Sequence, residues 1–232
     1  MAEHHDDSAN VAWDDVARFI RQFNHDLRNH LNAIELQSAF VSELTQDAEL
    51  QGEIKRLREM ISGLARSLQS VSSKVGTVSP NRMAYRAADF MEDLRKRVAQ
   101  EFPQQNADIS WKIDLGDEMI DVDPPLLPEA ILELIRNAFQ HGRGQVAIAA
   151  SAQIDHGRFL FRLREPKHQF ELPTENWGGE PLRSVGHGHY GLGLNRARRI
   201  VEAHDGEMQA QYDRAGAALV TTITLPVGRS EA

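Results

Sequence analysis

Residues 50–75 read LQGEIKRLREMISGLARSLQSVSSKV, and in this stretch Leu50, Ile54, Leu57, Ile61, Leu64, Leu68, Val71 and Val75 follow one another by alternating steps of four and three. Such a repeat is a heptad seam along one face of a long helix. Just upstream, Asp47 follows Thr45 and Gln46 and is placed to cap that helix. Before this polar turn, Val16, Ile20, Phe23, Leu27, Leu31, Ile34, Val41 and Leu44 also advance by threes and fours, with a gap around Gln37 and Ser38, so a second long amphipathic helix is expected from Val11 onward. Two such helices joined by a short turn form an antiparallel hairpin that cannot bury both stripes alone. A dimeric four-helix bundle is therefore expected.

Residues 76–80, GTVSP, break the helical pattern and suit a linker. Beyond them a helix is expected over about 85–102 and a strand around 109–113. Asp123 and Pro124 then suit the cap and first position of another helix, with Leu127, Ile131, Leu134, Ile135 and Ala138 as its apolar face and Gly142 as its stop. Strands at 145–150 and 158–163 flank Asp155-His156-Gly157, a turn sequence. A helix over 194–204 and strands at 207–212 and 218–225 complete the chain. The fold class is α+β: a helical hairpin, then an α/β two-layer sandwich with a largely antiparallel sheet. The expected organisation is a loose terminus at 1–10, the hairpin at 11–76, a linker at 77–84 and the sandwich at 85–228.

Composition removes several functions. The net charge of -8 over 232 residues and a pI near 5.7 lack the basic stripe that nucleic-acid binding requires. With no cysteine there are no disulfides, thiolate metal sites or cysteine nucleophiles. No apolar run has the length of a membrane span or signal-peptide core, so no membrane insertion and a cytoplasmic location are expected.

Residues 23–34 read FNHDLRNHLNAI. His25 lies two residues from both Phe23 and Leu27, about 200° around a helix of 3.6 residues per turn, so it should face water. Asp26 follows it and Asn29 stands one turn along. This pattern resembles the H box of two-component sensor histidine kinases. The resemblance implies that His25 accepts a phosphoryl group, that Asp26 holds a ring-nitrogen proton and that Asn29 supports dephosphorylation of a partner. His30 stands where proline is common in that family, and lacks the following carboxylate. The competing reading takes these residues as ordinary polar groups on a solvated face.

Residues 131–142, ILELIRNAFQHG, place Glu133 and Asn137 at i and i+4 on one helical face. This segment resembles the N box of the ATPase superfamily that includes histidine kinases, gyrase and Hsp90. The resemblance implies that Asn137 and Glu133 hold Mg²⁺, with Glu133 also polarising a water, and that His141 lies beside the nucleotide. Residues 186–194, GHGHYGLGL, run into a helix, and their glycines let backbone N–H groups approach phosphate. They resemble the second glycine box, with Gly188, Gly191, Leu192, Gly193 and Leu194 as cofactor-binding residues and His189 at a glycine position. A metal site built on His187 and His189 lacks further ligands.

Between these boxes the family carries Asp-x-Gly-x-Gly for adenine. Here Arg164-Glu165-Pro166-Lys167-His168-Gln169 follows the strand, with Glu165 at the aspartate position and neither glycine, and Gln140 replaces a basic residue. The resemblance therefore implies an ATP- and Mg²⁺-dependent protein histidine kinase, homodimeric through its hairpin, that phosphorylates His25 and passes the phosphoryl group to an aspartate on a response-regulator receiver domain. Input is expected from a separate sensor protein or another portion of the chain. The alternative is a histidine phosphotransfer or pseudokinase scaffold protein without productive ATP binding. An ATPase without phosphoacceptor function is disfavoured by the H box.

Overall fold

The structure is a computed structural model, and it describes residues 12–141, 147–182 and 191–228. The chain divides into two compact units between Thr77 and Val78. The first is a hairpin of α1 (Trp13–Leu44) and α2 (Ala48–Val75). Asp47 caps α2 as expected, accepting from Glu49 N at 2.8 Å and Leu50 N at 3.3 Å. Across the hairpin, α1 buries Ala17, Asn24, Leu31 and Ser38, while α2 buries Ile54, Ile61 and Val75. The inward face of α1 thus overlaps the apolar series only in part: Leu31 is buried and Val16, Ile20 and Leu27 are half-buried, but Ala17, Asn24 and Ser38 take the remaining buried positions. Phe23, Ile34 and Leu44 are 50%, 46% and 68% exposed, and Leu50, Leu57 and Leu64 of α2 are similarly open. Each helix has two stripes, and α1 and α2 satisfy only one apiece.

The second unit contains β1 (Met83–Arg86), α3 (Ala87–Glu101), β2 (Ile109–Asp114), β3 (Met119–Val122), α4 (Leu127–His141), β4 (Ile148–Asp155), β5 (Arg158–Pro166), α5 (Gly193–Ala203), β6 (Glu207–Asp213) and β7 (Ala218–Pro226). Five strands form one sheet in the order β2-β4-β5-β7-β6. Only β2 and β4 run parallel; the other neighbours are antiparallel. β4 and β5 are joined through His156 and Gly157, both at positive φ (48° and 72°), as a two-residue hairpin turn requires. One face of the sheet packs on three helices. Phe159, Phe161 and Leu163 of β5 meet Phe90 and Leu94 of α3, Ile131 and Ile135 of α4, and Ile200 and Val201 of α5 in one core. Phe90 meets Phe159 edge to face, with centroids 6.2 Å apart.

Several boundaries differ from the sequence expectation. The linker assigned to 77–84 is shorter, because Met83 and Ala84 already pair with Val122 and Asp121 in a small β1–β3 ladder. This four-residue pair was not expected, since strands so short carry little periodicity. Helix α4 starts at Leu127, not at Pro124, because two prolines, 124 and 125, and Leu126 form a turn above Asp123. Asp123 still terminates it, accepting Leu126 N on Oδ1 at 2.9 Å. Strand β5 runs on to Pro166, where only loop was expected beyond Leu163, because β7 continues to pair with it as far as Ala218. Residues 1–10, the Gly142 stop and the first two residues of the 145–150 strand lie outside the described residues.

His204 ties α5 to the turn before α4. It is fully buried. Its Nδ1 lies 2.7 Å from Ile200 O, an acceptor only, so Nδ1 carries the proton. Its Nε2 then accepts from Asp123 N at 3.0 Å. His204→Ala leaves both backbone groups unsatisfied and opens a cavity, and is expected to cost about 3 kcal/mol. Urea unfolding of the full chain checks this; a loss below about 1 kcal/mol would mean that water replaces both contacts.

Candidate functional site

The hairpin presents His25 outward, its side chain 69% exposed. Asn24, the preceding residue, faces α2 and is buried, and one step along a helix turns the chain by about 100°, which leaves His25 on the flank. Its Nδ1 lies 3.2 Å from Asp26 Oδ1. A carboxylate only accepts, so this pairing fixes the proton on Nδ1 and leaves the Nε2 lone pair directed to solvent. Asp26 also accepts from Gln22 Nε2 at 3.0 Å, which holds its carboxylate from the other side. Asn29 Nδ2, itself a donor, lies 3.5 Å from the same ring nitrogen from one turn along, a contact and not a hydrogen bond while Nδ1 carries the proton. The three residues singled out in the H box are therefore one cluster.

On α4, Glu133 and Asn137 emerge on neighbouring positions of one face. Asn137 is half-buried and makes no side-chain hydrogen bond to another described residue. Glu133 is different. Its Oε2 is held by Arg136, which also grips Glu101 at the end of α3. Its Oε1 packs on Gly193, the first residue of α5, where an added Cβ would fall 1.7 Å from it. The sequence reading missed Arg136, although its position three residues after Glu133 on a helix is the signal for such a pair. Gly193→Ala is expected to expel Glu133 or shift the first turn of α5, at a cost of about 1–3 kcal/mol. A melting temperature unchanged in the variant would show that Glu133 moves aside freely.

The second glycine box is described only in part. Gly191 takes φ 61° and its carbonyl accepts from Leu182 N at 3.2 Å. Leu192 is buried and stands at the N-terminal boundary of α5, while Leu194 packs against the core. Gly188, His187, His189 and the side chain of His141 lie outside the described residues. Among the described residues no group of three or more His, Asp or Glu side chains could hold a metal ion.

Glu165 sits at the end of β5, on the same inward face as Phe159, Phe161 and Leu163. It is 8% exposed, and burial pushes its carboxyl above the usual carboxylate range, with Lys167 pulling the other way. Lys167 Nζ is 3.2 Å from Glu165 Oε2. Two residues apart on an extended chain share a face, a signal the sequence reading left unused. The chain beyond Lys167 folds back onto α5 and β6. Tyr212 donates to Lys167 O and His168 O at 2.9 and 3.0 Å, Phe170 packs on Trp177 and Tyr212, and Asn195 donates to Gly178 O and Gly179 O.

No family model matches the chain. Among curated proteins, the sensor histidine kinase SpaK of Bacillus subtilis is 26% identical over 137 residues, 57% of this chain and 30% of that protein. The chain spans between 27% and 37% of the length of the curated relatives it matches. Among solved structures, full-length ShkA in complex with AMPPNP aligns with a TM-score of 0.68 at 18% identity, over 93% of this chain and 47% of that one. The histidine kinase ThkA in complex with the response regulator TrrA gives a TM-score of 0.56 at 14% identity, over 89% and 60% of the two chains.

Proposed function

From a chain whose fold is that of the two-component sensor histidine kinase core, we propose an ATP-dependent protein histidine kinase: His25 takes a phosphoryl group from ATP and passes it to an aspartate of a response-regulator receiver domain. The observation that carries this reading is the open imidazole of His25, its Nδ1 proton held by Asp26 and its Nε2 exposed. When bound, ATP with Mg²⁺ supplies the γ-phosphoryl group and leaves as ADP. His25 Nε2 attacks the phosphorus; positive charge develops on the ring, and the Asp26 carboxylate beside Nδ1 stabilises it.

Asn137 fits a Mg²⁺ ligand, because its half-buried amide has no other side-chain duty among the described residues. Glu133 joins it only if its carboxylate turns from Arg136. His141, Gly188, Gly191, Leu192, Gly193 and Leu194 complete the proposed nucleotide site by their sequence placement. The exposed stripe formed by Phe19, Phe23, Ile34, Leu57 and Leu64 suits a second copy, giving a homodimeric four-helix bundle. A receiver domain as partner is supported by the ThkA neighbour in complex with a response regulator. No helix among the described residues is long and apolar enough to cross a membrane, and the reading places the protein in the cytoplasm, where ATP and receivers meet.

A second reading has its own observation. The Glu165 carboxylate, which the first reading assigns to adenine, is buried and already paired with Lys167. A chain in that state is a histidine phosphotransfer or pseudokinase scaffold protein, exchanging phosphoryl groups between His25 and a receiver without ATP. Calorimetric titration with ATP and Mg²⁺, followed by phosphate incorporation from ATP and from a phosphorylated receiver, separates the two. Saturable binding with label from ATP supports the kinase. Label from the receiver alone, with no heat from ATP, rejects it in favour of the carrier.

A further inference from the structure

On α4 the carboxylate of Glu133 stands between two neighbours. One turn along the helix, Arg136 lies about 60° to one side of it and Asn137 about 40° to the other, so the side chain can reach either. It is found on Arg136. That guanidinium donates through Nη1 to Glu133 Oε2 and through Nη2 to Glu101 Oε1, on the last residue of α3. Glu101 and Arg136 stand at the surface, their side chains 36% and 35% exposed, whereas that of Glu133 is 12% exposed and abuts Gly193. One guanidinium thus bridges two carboxylates that differ in their access to water.

The bridge bears on the metal ligation proposed above. A guanidinium in hydrogen-bond contact places its positive charge where a divalent cation would have to approach the same carboxylate. Mg²⁺ also demands near-ideal octahedral geometry, which a side chain fixed by a second bond does not readily supply. Water reaches Glu133 poorly, so this pairing is screened less than one at the surface. Glu101 acts in the opposite sense. It holds the same guanidinium by its other terminal nitrogen, so Arg136 keeps a carboxylate partner when Glu133 swings towards Asn137. Losing one partner of two is a smaller penalty than stranding a charge.

We propose that Arg136 is the positioning residue for Glu133: it holds the carboxylate away from the Mg²⁺ position beside Asn137, and Glu101 sets how readily it lets go. Asn137 is then the resident ligand, and Glu133 is a second one that joins only when Arg136 moves fully onto Glu101. The end of α3, which no glycine or asparagine box includes, thereby tunes the metal requirement of the site. The inference rests on the nucleotide-site reading given above.

The test titrates the full chain with ATP by calorimetry at a series of fixed Mg²⁺ concentrations and reads the Mg²⁺ level that brings ATP affinity halfway to its maximum. Arg136→Gln should lower that level about fivefold, the most a partly exposed ion pair is worth, and Glu101→Gln should raise it about threefold. A purely structural brace would shift Tm in both variants and leave the Mg²⁺ requirement alone. The two substitutions are then repeated on Glu133→Gln, where each shift should shrink to within about twofold. Shifts of undiminished size in that background would show that the charges act on the metal directly, and would overturn the proposal. So would a Mg²⁺ requirement within about twofold of native in both single variants, with ATP still bound; that result leaves the nucleotide reading intact. ATP binding by Arg136→Gln but not by the native chain supports the proposal in its strongest form. If neither binds ATP at any Mg²⁺ level, the nucleotide reading fails and the inference falls with it.

Discussion

His25→Ala protein is expected to incorporate no acid-labile phosphate from ATP or from a phosphorylated receiver, a loss of about four orders of magnitude in rate. The reason is local. Removing the imidazole removes the exposed Nε2 lone pair, and no described neighbour in the cluster, Gln22, Asp26 or Asn29, offers a nucleophile of comparable strength at neutral pH. Asp26→Asn keeps the shape but takes away the charge beside Nδ1, and should lower the rate by about a hundredfold. His30 is the competing acceptor, exposed on the same helix yet with no carboxylate partner among the described residues. His30→Ala should therefore retain the label. The measurement is phosphate incorporation followed by acid and alkali stability; persistence of acid-labile label in His25→Ala, or its loss in His30→Ala, would move the acceptor away from position 25.

Lys167→Met should lower stability by roughly 3–5 kcal/mol at neutral pH, because it leaves the buried Glu165 carboxylate without its counter-charge. The effect has a definite pH signature. Burial already raises the Glu165 carboxyl above the usual range, and Lys167 offsets part of that rise. Without Lys167 the folded-state value climbs further. For a group whose folded value is raised, the favourable contribution is full below the unfolded pKa, near 4.3 for glutamate in general, and is lost as pH rises through the folded value. Native chain and variant should thus converge toward pH 4 and separate as pH rises to 8, in urea unfolding followed over that range. An equal penalty at both ends would mean that Lys167 acts by packing, through its stem or its position 6.0 Å from the Phe170 ring. Replacing the pair together, Glu165→Leu with Lys167→Met, should be neutral or stabilising by about 1–4 kcal/mol. If that double variant binds ATP as the native chain does, Glu165 is not the adenine contact.

Local chemistry determined much of what the sequence disclosed. The Asp47 cap, the strands around Asp155-His156-Gly157 and the helix opening at Gly193 follow from groups close in the chain; the cap and the opening of α5 fall within one residue of expectation, whereas β4 runs on to Asp155, five residues past the expected end at 150. His25 is outward as expected but for a different reason: Phe23, expected inward, is 50% exposed, and the buried Asn24 beside it leaves His25 on the flank. The β1–β3 ladder and the continuation of β5 to Pro166 were not legible, since each depends on a strand far along the chain that supplies its hydrogen bonds.

Periodicity established that α1 and α2 carry apolar stripes, but only packing decided which stripe turns inward. Ala17, Asn24, Leu31 and Ser38 occupy that seam, and Asn24 meets Ser72 there, a partner 48 residues away. The same holds for Glu133, bound to Arg136 and pressed on Gly193, and for Glu165, neutralised by Lys167 in the core. A sequence fixes which groups can ionise, cap or repeat; which of them end in water and which meet a counter-charge is decided by burial, and burial is a property of the folded whole.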